Sequence, residues 1–81
     1  MGQASKANSL EKKFGEIIRV HRHALKISQE ELADRCGLHR TYISQIERGL
    51  KSVSLKVLVR LARALKSKPH QLVEEAEDFN G

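Results

Sequence analysis

Histidine, cysteine and paired carboxylates are the side chains through which this chain could ligate a metal or attack a substrate, and their spacing argues against both. His21 and His23 are two apart, which on a helix points the rings in different directions, while His39 and His70 stand alone. Cys36 has no second cysteine, so neither a disulfide framework nor a cysteine-based zinc site fits. It falls on the apolar side of an expected helix, where a thiol packs as a small inert hydrophobe. A redox-sensing thiol would need exposure and a lowered pKa. No carboxylate pair neighbours a nucleophile or base, and nothing resembles a glycine-rich phosphate loop. The reading expects no catalytic residue, no metal, no cofactor and no small-molecule ligand. What remains is charge. Fifteen Lys and Arg against ten Asp and Glu leave +5, with a pI near 9.7. Four of those acids lie in Glu74–Asp78, so residues 1–73 carry fifteen basic against six acidic side chains. A field of that sign favours a polyanion as partner. Aromatics are only 4%, with no Trp, which argues against a platform for stacking single-stranded bases.

The elements that must position these charges are helical. Ser9 is placed to cap a first helix, in which Phe14, Ile17, Ile18, His21 and Leu25 share one face while Lys12, Glu16, Arg19, His23 and Lys26 share the other. Ser28 and Glu31 read as a capping box for a second helix, with Leu32, Ala33 and Cys36 inward and Gly37 ending it. A third helix is expected from about His39 to Arg48, with Ile43 and Ile46 inward and Gly49 as its stop. Leu50–Val53 connects to a fourth helix, capped by Ser54, whose inward face is read as Leu55, Leu58, Ala62 and Leu65. Its outer stripe, Lys56, Arg60 and Arg63, reads as a solvated face. Pro69 suits the first turn of a short fifth helix through Leu72 and Val73. Residues 1–8 read as a flexible tail, 9–73 as one domain, and 74–81 as a fraying acidic tail. No apolar run approaches the roughly 18 residues of a membrane span, and no signal-peptide core follows Met1. The expected class is all-α, and 81 residues leave room for one small domain.

Gln29 to Arg48 is the specific part. Two short helices crossing steeply through a tight turn need a small residue on the first, and Ala33 supplies it. The turn needs a residue at ease with positive φ, and Gly37 follows four positions later. Leu32, Cys36, Leu38, Ile43 and Ile46 fill the wedge between the helices. The stretch Ser28-Gln-Glu-Glu-Leu-Ala through Leu38-His-Arg-Thr-Tyr-Ile-Ser-Gln-Ile-Glu-Arg-Gly49 resembles the Cro/C1-type helix-turn-helix family, the lambda-repressor-like fold. The resemblance spans about residues 10–73. Within the family the chain is most similar to the stand-alone controller proteins of restriction–modification systems, through Arg-Thr-Tyr-Ile-Ser and its short length. Two positions depart from the family pattern: Ser67, where an apolar residue is usual, and Lys68, where a capping Ser or Thr is usual.

The resemblance implies five helices, binding to double-stranded DNA, and a homodimer on a palindromic operator. It places helix three in the major groove, with His39, Arg40, Thr41, Ser44 and Gln45 toward base edges or the groove wall. Arg40 has the fork that matches guanine O6 and N7, and Thr41 offers a methyl to thymine. Gln29 at the second helix start, Tyr42, Arg48, Lys51 and Ser52 are expected at phosphates. The family also pairs an arginine late in helix one with a glutamate ending helix three, here Arg22 and Glu47. Leu72, Val73 and Phe79 are the expected dimer contact. The implied function is a transcriptional regulator of the bacterial or phage-host cytoplasm, controlled by its own concentration. The alternative carried beside it is an antitoxin-like or bridging protein-interaction module, for which the short acidic tail is the one available partner segment. An enzyme has no support in the sequence.

Overall fold

Three serines open three of the helices. In the computed structural model, which describes residues 9–80, the hydroxyls of Ser9, Ser28 and Ser54 accept from the backbone N–H of Lys12, Glu31 and Val57 at 3.0–3.1 Å. Each satisfies a donor that the first turn leaves without a helical partner. The helices are α1 Leu10–Ala24, α2 Gln29–Cys36, α3 Arg40–Glu47, α4 Leu55–Ala64 and α5 Pro69–Asp78, and the described residues contain no strand. Gly37 takes φ 69° directly after α2, and Gly49 takes φ 76° two residues past the end of α3. The same left-handed turn follows α1 and α4, where Lys26 and Lys66 adopt it at φ 59° although they carry a Cβ.

Ile18, Leu32, Ile43, Ile46, Leu61 and Leu72 are wholly buried and come from all five helices, so one core ties the chain together. α1 packs on α3 and α5, and α2 packs on α3 and α4. Four expectations need correction. Glu31 does not complete a capping box: its carboxylate accepts from Arg35 at 3.2 Å instead of returning to Ser28. Leu55 is 80% exposed, because it begins α4 and projects beyond the core. Leu61, which that expected face leaves out, is wholly buried beside Ala62 and Leu65. The fifth helix does not end at Val73. It continues to Asp78, since Ala76 is buried and Glu75 bonds to His21 on α1 at 2.7 Å. Leu72, expected at a dimer contact, has no exposed surface and belongs to the core. The expected tail, residues 1–8, lies outside the described residues.

Candidate nucleic-acid interface

Recognition by a helix requires that helix to be held rigidly while its outer face stays open. Two devices hold α3. The first is a close approach to α1 at Gly15, where a Cβ would stand 2.3 Å from the Ile46 carbonyl oxygen and 2.6 Å from that of Glu47. Only a glycine lets the two backbones meet there, and the sequence carried no sign of it, because a lone glycine inside a helical pattern reads as a mild weakness. The second is ionic. Arg22 Nε and Nη2 donate to the two carboxylate oxygens of Glu47 at 2.6 and 3.0 Å, and its Nη1 donates to the Ile27 carbonyl at 2.9 Å. Gln29 Nε2 adds a bond to Glu47 Oε1 at 3.0 Å. The Arg22 and Glu47 side chains are 10% and 3% exposed, so this fork binds α1, α2 and α3 in a largely water-excluded place.

On the open side, His39, Arg40 and Thr41 are exposed at the start of α3, with Ser44 and Gln45 half-buried one turn on. His39 forms the N-cap without a side-chain bond. Arg48, Lys51 and Ser52 are exposed just past the helix. The structure therefore brings the base-edge set onto one face and Arg48 and Lys51 beside it. Three of the expected phosphate residues also have contacts within the protein. The amide N–H of Gln29 is turned into the Glu47 fork. Ser52 donates its hydroxyl to Glu11 at 3.0 Å. Tyr42 is half-buried against the core. Burial pushes the Cys36 thiol up, which favours its unreactive protonated form, and the nearby Arg60 guanidinium partly offsets this.

A short helix opened toward solvent at its N-terminal end, braced by a second across a glycine turn, is the architecture of a DNA-reading helix-turn-helix. The helix-turn-helix family profile matches residues 18–72, well over half of the chain. The chain belongs to the Cro/C1-type helix-turn-helix family. It is thus a DNA-binding regulator, and its relatives narrow the type. The control protein C.BamHI of Bacillus amyloliquefaciens is 41% identical over 68 residues, covering 83% of this chain and 84% of that protein. The crystal structure of the restriction–modification controller protein C.AhdI of Aeromonas hydrophila is 44% identical at a TM-score of 0.75, covering 76% of this chain and 94% of that one. Structures of variants of the controller protein C.Esp1396I are 29% identical at TM-scores from 0.75 to 0.77, covering 85% of this chain and 87–92% of those. The substituted residues in those variants are a consecutive Arg, Thr and Tyr. This helix-turn-helix chain contains one Arg-Thr-Tyr trio, at Arg40, Thr41 and Tyr42.

Proposed function

We propose that the protein is a controller-type transcriptional regulator that reads a palindromic operator in double-stranded DNA as a homodimer in the cytoplasm. The observation that carries this reading is the face of α3: exposed Arg40 and Thr41 beside Ser44 and Gln45, on a helix locked from behind by Gly15 and the Arg22–Glu47 fork. Arg40 and Thr41 read base edges, with His39, Ser44 and Gln45 completing the groove contact. Arg48 and Lys51 hold phosphates, which sets register without adding sequence preference. The trio altered in the C.Esp1396I variants has the same residue types in the same order, which supports placing Arg40 and Thr41 at the centre of the interface.

The dimer reading rests on a different surface. An apolar groove of about 210 Å³ runs between α1, the loop before α4, and α5, lined by Leu10, Phe14, Val53, Leu58 and Val73. Leu10 and Val59 are 52% and 37% exposed, and Leu55 80%, more apolar exposure on one small domain than folding alone explains. Val73 is half-buried and is the α5 contribution, while Phe79, just past α5, is half-buried against the core. A dimer of this family reads half-sites one helical turn, ~34 Å, apart. Operators selected from random duplexes are expected to be inverted repeats, and sedimentation on them is expected to show two chains per duplex. Recovery of asymmetric sites bound by single chains would overturn the dimer. Selection that enriches no sequence would overturn specific DNA reading and favour a protein-interaction module.

A further inference from the structure

The loop that leaves α3 lies directly on the first turn of α1. At Gly49, whose φ is 76°, a Cβ would stand 2.7 Å from Lys12 Cα. Three residues further on, Ser52 donates to Glu11 at 3.0 Å, tying the loop to the same turn of α1. One concavity results, lined by Lys12 from α1 and by Arg48 and Lys51 from the loop side. All three side chains are exposed, and among the described residues none makes a side-chain hydrogen bond or ion pair. Glu11 is the one acid in the lining, and its carboxylate already accepts the Ser52 bond. Like charges that line one concavity repel one another. A cation cluster of this kind is relieved by an anion that lies across it.

We propose that Lys12 joins Arg48 and Lys51 in holding a phosphate of the DNA backbone, so that the first turn of α1 is an anchor on the duplex outside the helix-turn-helix. The proposal rests on the DNA-binding reading above and extends its footprint. Sequence alone separates Lys12 from Arg48 by most of the domain, and only the glycine contact at Gly49 brings them to one site. The ligand is a phosphodiester rather than a base edge, because the cluster lies past the C-terminal end of α3, along the groove wall. Such a contact contributes affinity and salt dependence, not sequence preference.

The test is duplex binding over a salt series, using an operator selected from random sequence and a scrambled duplex of equal length. Lys12→Gln is expected to weaken both duplexes by the same factor and to lower the slope of log affinity against log salt by about one. Lys12→Arg is expected to retain the parent slope. Lys68→Gln, which removes an exposed lysine from the α4–α5 turn, controls for loss of net charge and is expected to leave the slope as it was. An unchanged slope for Lys12→Gln, or an equal fall for Lys68→Gln, would overturn the assignment while leaving the DNA reading standing. If the parent chain bound neither duplex, both readings would fall together.

Discussion

Arg40 and Lys51 carry the same charge and are both exposed, yet their positions assign them different work. Arg40 opens α3, where a docked helix brings side chains to base edges, and its planar fork matches guanine. Arg40→Ala is therefore expected to weaken the best operator by ~1–3 kcal/mol and to relax preference at one base pair, with scrambled duplex affected far less. Lys51 lies in the loop, and Lys51→Ala is expected to weaken all duplexes alike and reduce the salt slope by about one. Equal loss on operator and scrambled duplex for Arg40→Ala would make Arg40 a phosphate clamp. Ser67 shows a residue whose effect is on stability alone. Its hydroxyl is buried without a hydrogen-bond partner, at a position where the family usually has an apolar side chain. Ser67→Ala removes that uncompensated group and is expected to raise stability by about 1 kcal/mol, measured by urea denaturation. A lower midpoint would mean that the hydroxyl has a partner in solution.

At the scale of elements, the recognition helix depends on α1 more than on its own eight residues. Removing the charge of Glu47 strands the Arg22 guanidinium in a place with little water. Glu47→Gln is therefore expected to cost about 3–5 kcal/mol, whereas an exposed pair would be worth under ~1 kcal/mol. An unchanged denaturation midpoint would show that the fork opens to solvent. The bond between α1 and α5 behaves differently. His21 at 2.7 Å holds the Glu75 carboxyl below its usual range, helped by Gln71 and opposed by partial burial. A carboxyl with a lowered folded-state pKa stabilises at neutral pH, and that contribution is lost as pH falls through the lowered value. The thermal midpoints of the parent and Glu75→Gln should thus differ most near neutrality. They should converge as pH falls below the ordinary glutamate pKa of about 4.3 and through the lowered folded-state value. A constant gap across that range would show that the bond does not depend on the ionised carboxylate.

For the whole molecule, the decisive question is which apolar residues belong to the core and which are left for a partner. Leu72 and Val73 are adjacent in sequence, yet Leu72 has no exposed surface while Val73 is half-buried along the apolar groove. Leu72→Ala removes a side chain with no exposed surface and is expected to cost about 2–5 kcal/mol of folding stability. Val73→Glu places a charge in the half-open groove and is expected to leave the chain folded but shift sedimentation from dimer to monomer. A Val73→Glu chain that still sediments as a dimer would move the contact away from α5. The charges are also divided by element: α3 and its following loop offer cations, while Glu74, Glu77 and Asp78 are exposed on α5. Such a polarity orients the molecule toward a polyanion during approach.

Local rules were enough to read five helices, because serine caps and a 3.6-residue apolar period act within a few residues of chain. They were enough for the α2–α3 turn too, since Ala33 and Gly37 answer steric demands that arise locally. Arg22 and Glu47 were legible only through the family pattern, and their depth in the structure had to come from packing. What the chain could not reveal alone depends on which surfaces meet. Gly15 is required by a backbone on another helix, the Gln29 side chain bonds to Glu47, and α5 runs on past Val73 because α1 offers His21 and a place to bury Ala76. Periodicity assigns a residue to a face of its helix. Only the crossing of helices decides whether that face meets the core, another copy or DNA, because close packing depends on neighbours distant in sequence.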